Sequence, residues 1–204
     1  MTSKNTFITL GASNHTEKER EADDFYATSP IGTFALLKKE AFNKKIWEPA
    51  CGSGHISNVL LSKGYEVFST DLFDRGYGFH GLDFLGDEAK GYAGKYDIIT
   101  NPPYKYAEQF CLRAIELCNH KVAMLMRILF LEGIQRYNNL FSVFPPTKVY
   151  VFSFRLQNAK NGEFKKYEKT GSAQGYAWYI WEKGYNGKTE LRWMEPDLKN
   201  NYLD

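Results

Sequence analysis

One stretch limits what this chain can fold into more than any other. Asp97-Ile-Ile-Thr-Asn-Pro-Pro-Tyr104 reads as an apolar strand that stops at a pair of prolines. Proline fixes φ and has no N–H, so a central strand cannot run through Pro102 and Pro103, and the chain must turn. The turn stiffens one amide (Asn101), one carbonyl (Pro102) and one aromatic ring (Tyr104). These suit a flat nitrogen base with an exocyclic amine: the amide oxygen and the carbonyl each accept one N–H, and the ring stacks on the base. A strand-end turn with a solvated tyrosine has the same composition. The rest of the chain decides between the two.

Residues 1–24 are polar and charged, with the run Thr16-Glu-Lys-Glu-Arg-Glu21, and read as a solvated arm. Residues 25–204 read as a single domain. Ser29 suits an N-cap and Pro30 a first helical position, opening a helix through Phe34, Leu37 and Ala41. Lys45–Ala50 is a short buried strand, Cys51-Gly-Ser-Gly54 a tight turn, and His55–Lys63 a helix ended by Gly64. Tyr65–Thr70 is the next strand, closed by Asp71. Strand, turn, helix and strand make a parallel βαβ unit.

Residues 72–95 carry only a weak strand signal around the apolar island Gly81-Leu-Asp-Phe-Leu85. Helical spacing over 105–119 puts Cys111 and Cys118 in the core. A strand at 121–126 follows, then an amphipathic helix at 130–141 through Ile134 and Tyr137. Beyond Pro145-Pro146 lie a strand at 148–154 and strands at 176–182 and 189–194, with Asn186-Gly187 as a hairpin signal. The alternation predicts an α/β sheet with helices on both faces and a C-terminal antiparallel hairpin. Sites in such sheets lie at the carboxyl ends of the strands, where the Cys51–Gly54 turn, Asp71 and Asn101–Tyr104 all fall.

A Gly-x-Gly turn opening a helix lets a ligand approach the backbone, and an acid about twenty residues on suits ribose hydroxyls. Asp71 holds that position, and the missing third glycine argues against a nicotinamide dinucleotide. An unliganded tight turn explains the same glycines. Asp83, beside Phe84, suits the exocyclic amine of an adenine, and equally a solvated surface acid. The net charge of +2 allows a nucleic-acid surface only as a local patch. The candidate patch is the segment 155–174, with Arg155, Lys160, Lys165, Lys166 and Lys169 interleaved with Phe164 and Tyr167. It reads as a phosphate-contacting arm that reaches the base, or as a solvated loop. The three cysteines and four histidines show no metal spacing, so no metal site is expected and a reduced, cytoplasmic setting is. No membrane-spanning run is visible.

Glu48-Pro-Ala-Cys-Gly-Ser-Gly54, Asp83-Phe84 and Asn101-Pro-Pro-Tyr104 resemble the motifs of S-adenosylmethionine-dependent adenine-N6 DNA methyltransferases. Phe25-Tyr-Ala-Thr-Ser-Pro30 resembles that family's N-terminal cofactor motif, and the resemblance covers about residues 20–155. The small size and the aromatic Trp178–Trp181 segment resemble compact members carried by phages and mobile elements. The resemblance implies a Rossmann-like class I methyltransferase fold, a mixed seven-stranded sheet and a flipped adenine as substrate. It places Tyr26 and Thr28 at the methionine end of S-adenosylmethionine and Glu48, Ala50 and Gly52 around its amino acid part. Asp71 falls to its ribose, and Asp83 and Phe84 to its adenine. It gives the catalytic role to Asn101, Pro102, Pro103 and Tyr104, and DNA contacts to Tyr104, Phe164, Lys165, Lys166 and Lys169. Phe154 is the alternative stacking aromatic. The family's separate target-recognition domain has no counterpart here, which implies a relaxed target, a homodimer or a separate specificity partner. Enzymes methylating RNA adenine or a protein glutamine share Asn-Pro-Pro-Tyr, and a non-catalytic binding module on the same fold is the remaining alternative.

Overall fold

The computed structural model describes residues 26–156, 158–160 and 174–199. Its strands are β1 (Tyr26–Thr28), β2 (Lys45–Glu48), β3 (Glu66–Asp71), β4 (Phe79–His80), β5 (Asp97–Thr100), β6 (Lys121–Arg127), β7 (Lys148–Phe152), β8 (Asn158–Lys160), β9 (Tyr176–Glu182) and β10 (Glu190–Met194). The main helices are α1 (Pro30–Lys39), α2 (His55–Ser62) and α3 (Ala107–Leu117). The principal sheet has eight strands in the order β4-β3-β2-β5-β6-β9-β7-β10. β9 lies antiparallel to both of its neighbours, and the other pairings in this sheet are parallel. β1 and β8 form a separate antiparallel ribbon, Thr28 opposite Asn158 and Tyr26 opposite Lys160.

Strand residues alternate between two cores, as a sheet covered on both faces requires. Trp47, Ile98, Val122, Met124 and Tyr179 join the cluster under α3. Ile46, Ile99, Ala123, Leu125, Trp178 and Ile180 join the cluster that includes Leu36 of α1 and Ile56 and Leu60 of α2. The buried indoles are anchored by hydrogen bonds: Trp47 Nε1 donates to Thr70 Oγ1 at 2.9 Å and Trp178 Nε1 to the Gly32 carbonyl at 2.8 Å.

The expected fold class holds, with local corrections. There are eight strands in the sheet rather than seven. The antiparallel pair at the C-terminal end is β7 with β9, and β10 lies beyond β7, so the strands flanking Asn186-Gly187 are not hydrogen-bonded to each other. Ser29 precedes α1 without a side-chain capping bond; Pro30 and the Ser29 carbonyl, which accepts the Gly32 N–H at 2.9 Å, shape that entry instead. The helix expected over 130–141 is replaced by short pieces: a 3-10 turn at Ile128–Leu131, one α turn at Ile134–Arg136 and a π turn at Tyr137–Phe141. Phe130 and Leu140 are buried there, while Ile134 and Tyr137 are 84% and 61% exposed. No helix among the described residues is long and apolar enough to cross a membrane.

Candidate functional site

The carboxyl ends of β2, β3, β5 and β6 meet at one edge of the sheet, as their parallel pairings require. β5 ends at Thr100, and the prolines act twice. They stop the strand, and the Pro103 carbonyl accepts the Tyr106 N–H at 3.0 Å to begin the turn that feeds α3. Asn101 is half-buried, and its Nδ2 donates to Thr28 Oγ1 at 3.1 Å. Thr28 itself is buried. Because the amide donates on that side, its carbonyl oxygen points away from Thr28.

Tyr104 packs against the core cluster that holds Tyr176 and Trp178. Its hydroxyl lies 3.0 Å from that of Tyr176, and the Arg127 guanidinium stands 4.2 Å from its ring centroid. Burial, reinforced by Tyr176, pushes the Tyr104 phenol well above its ordinary pKa, so it stays neutral.

At the neighbouring turn the Gly52 N–H donates to Asp71 Oδ2 at 2.9 Å and the Phe73 N–H to Asp71 Oδ1 at 3.0 Å. Asp71 thus joins the glycine turn to the end of β3. Gly54 takes φ +80, and a Cβ there would lie 2.6 Å from the Tyr77 ring, so both conformation and space call for glycine. Glu48 is buried and accepts a hydrogen bond from the Ser57 hydroxyl. Burial raises its pKa to about 8. Cys51 is also buried, and burial, with Glu48 and Asp71 nearby, lifts its thiol to about 12. Such a thiol is inert near neutral pH.

The other expected site residues divide. Ala50 is half-buried against the α3-side core. Asp83 is exposed and its Oδ1 accepts the Leu85 N–H at 2.9 Å, the bond of a local turn. Phe84 is only 2% exposed, edge-on to Trp47 with centroids 5.0 Å apart, and belongs to the core. Tyr26 is placed by its backbone opposite Lys160. Phe154 is half-buried and packs edge-on against Phe152. Phe164, Lys165, Lys166 and Lys169 lie outside the described residues.

Four residues at this edge were not singled out from the sequence: Leu72 and Phe73, which are 48% and 55% exposed beside Asp71, and Arg127 and Tyr176 around Tyr104. The signal for the first pair was present, since two apolar residues directly after a strand-closing acid have no strand left to bury them. Among the described residues no group of three or more metal-ligating side chains comes together.

No protein-family model matches the sequence, and a search of curated proteins finds no match. Solved structures do resemble it. The methyltransferase subunit of a type I restriction-modification system from Streptococcus thermophilus superposes with a TM-score of 0.60 at 12% identity, over 89% of this chain and 53% of that one. The M protein of the type I restriction enzyme EcoKI gives 0.55 at 13% identity, over 80% and 45%. A predicted O-methyltransferase from Agrobacterium tumefaciens gives 0.56 at 13% identity, over 84% and 95%. The chain therefore spans about half the length of the type I subunits. At these identities the likeness establishes the fold, that of the class I methyltransferases.

Proposed function

We propose that the protein transfers a methyl group from S-adenosylmethionine to the N6 amine of an adenine turned out of DNA. The observation that carries this reading is the Asn101 amide, held by Thr28 at the carboxyl edge of the sheet beside two prolines and the Tyr104 ring.

The residues at the neighbouring turn fit the cofactor. Glu48 is a buried carboxyl without an ion pair among the described residues, and an ammonium group is the partner that would let it ionise. Asp71 uses one bond on each oxygen, which leaves acceptor capacity for ribose hydroxyls. Leu72 and Phe73 offer apolar surface to an adenine, with Asp83 as acceptor for its amine. Phe84, packed in the core against Trp47 and Phe110, anchors the chain beside Asp83. Gly52, Ala50, Thr28 and Tyr26 complete the cofactor side. When bound, S-adenosylmethionine supplies an electrophilic methyl on a sulfonium.

The chain's own task is to make a poor nucleophile better. The substrate amine shares its lone pair with the ring. Accepting its two N–H groups on Asn101 and on the Pro102 carbonyl returns density to the nitrogen and favours a tetrahedral geometry. These bonds strengthen as that geometry develops, so they act mainly on the transition state. Tyr104 stacks on the base. The raised thiol pKa of Cys51 fits a transfer without a cysteine nucleophile.

DNA contacts fall to the basic stretch with Phe164, Lys165, Lys166 and Lys169. In sequence that stretch follows β8, which pairs with β1, and β1 carries Thr28. A second copy or a separate specificity partner is the proposed source of sequence reading. The likeness to type I restriction-modification subunits supports a restriction-modification setting.

The test is methyl transfer from labelled cofactor to DNA, RNA and protein side by side, with Asn101→Ala as control. Labelled N6-methyladenine in DNA, reduced about a hundredfold or more by Asn101→Ala, is the expected result. Label confined to RNA or to a protein glutamine would replace the substrate. No label on any acceptor would leave a binding module.

A further inference from the structure

Methyl transfer to a flipped adenine needs a base stacked on Tyr104, yet that ring already has a partner. The Arg127 guanidinium stands 4.2 Å from its centroid, within cation–π range. The ring also packs into the core around Tyr176 and Trp178, and its hydroxyl is tied to Tyr176. The guanidinium lies over a face of the ring, and both residues are partly exposed at the sheet edge. We propose that Arg127 is a stand-in for the flipped base: it covers the stacking face of Tyr104 in the substrate-free protein and is displaced when the base enters.

Two further observations favour displacement over a fixed brace. The guanidinium bonds the Tyr104 hydroxyl, but Arg127 Nε is buried without a hydrogen-bond partner among the described residues, so the group is only partly satisfied where it stands. The backbone beneath it is held: the Arg127 carbonyl accepts from the Tyr179 hydroxyl at 3.0 Å, and the Ile128 N–H donates to the Gly175 carbonyl at 2.9 Å. The side chain can therefore leave by rotation alone, with no loop movement. Chemistry gives a reason for it to leave. Methyl transfer places positive charge on the amine, and a guanidinium fixed a few ångströms away would oppose that charge in a low-dielectric site. Stacking and removal of the opposing charge would thus be one event.

This proposal rests on the methyltransferase reading, and the test separates the two. The wild-type protein is first used to locate its methylated adenine on plasmid DNA. A duplex with 2-aminopurine at that position then reports the extrahelical base by its rise in emission. For Arg127→Ala and the uncharged, long Arg127→Met, the midpoint of that rise should move to several-fold lower protein concentration, with cofactor affinity unchanged. If Arg127 instead braces the ring, both variants lose emission and approach Tyr104→Ala, and the proposal fails. An unchanged midpoint and amplitude would also overturn it, since the guanidinium would not be on the stacking face. Absence of any methylated adenine with the wild type would instead remove the functional reading itself.

Discussion

At the scale of single residues, Glu48 has the most direct consequence. Burial raises its pKa to about 8 from an ordinary 4.5. Between those values the folded chain holds a proton that the unfolded chain has lost, so this residue's contribution to stability falls as pH rises through that window. An ammonium group brought beside Glu48 reverses the balance and expels the proton. Cofactor binding near pH 7 should therefore release close to one proton, read by titration calorimetry in buffers of different ionisation heat, and Glu48→Gln should abolish the release. Thr28 supports a second prediction. Its hydroxyl accepts from Asn101 Nδ2, so Thr28→Val should lower kcat about 10- to 100-fold while leaving cofactor affinity nearly intact, and Thr28→Ser should restore most of the rate. A weakened cofactor affinity with unchanged kcat would return Thr28 to the methionine end alone. Asn101, Tyr104 and Asp71 were legible in the sequence because proline stops, glycine turns and strand-closing acids are local signals. Tyr176 was not: it meets Tyr104 across 72 residues, and periodicity marks it as buried without saying what it faces.

At the scale of elements, the stretch after β6 shows how a helical pattern can be overruled. Phe130, Ile134 and Tyr137 have helical spacing, but Gly133 takes φ +132 between them. Arg136 then donates to the Phe130 and Glu132 carbonyls and lies 4.3 Å from the Phe130 ring centroid, which fixes the break. The face buried is that of Phe130 and Leu140 instead. Leu140→Ala should cost about 2–5 kcal/mol in urea unfolding, while Ile134→Asn should stay within about 0.5 kcal/mol. A helix packed through Ile134 would give the reverse order. The partner exchange at the C-terminal end has a related cause. Asn186-Gly187 is a local turn signal, but β7 is apolar enough to be buried between β9 and β10, and pairing of distant strands is not written in a turn. The strands and helices of the βαβ half were legible because each is specified by its own periodicity and stops.

At the scale of the whole molecule, the sheet separates two kinds of polar cluster. The candidate site occupies the carboxyl ends of the parallel strands, and a buried ionic network occupies the amino ends. There Glu40, just after α1, accepts from Lys121 Nζ at 2.7 Å, Lys148 Nζ at 2.7 Å and the Tyr150 hydroxyl at 2.8 Å. Lys121 opens β6 and Lys148 opens β7, so one carboxylate ties a helix end to two strands. Burial opposes the charge on Glu40, but the hydrogen bonds from Lys121, Lys148 and Tyr150 outweigh it and hold its pKa below the ordinary 4.5. A depressed carboxylate stabilises the fold above its unfolded pKa and loses that contribution as pH falls through its folded value. Glu40→Gln leaves Lys121 and Lys148 with only the longer ion pairs to Glu182, at 3.4 and 3.7 Å, and should cost about 1–3 kcal/mol near pH 7. The loss should shrink on acidification, because the wild type then surrenders the same interactions. Thermal melts of both proteins from near neutral pH down to about pH 3 should therefore converge. Glu48 acts with the opposite sign, and at higher pH, so Glu48→Gln should narrow the loss of stability between about pH 4.5 and pH 8 without touching the limb below it. Cofactor affinity of Glu40→Gln, measured where both proteins are folded, should match the wild type because the network lies at the far ends of the strands. A gap between the melting curves that stays constant down to pH 3 would show that the carboxylate's charge is not what the network uses.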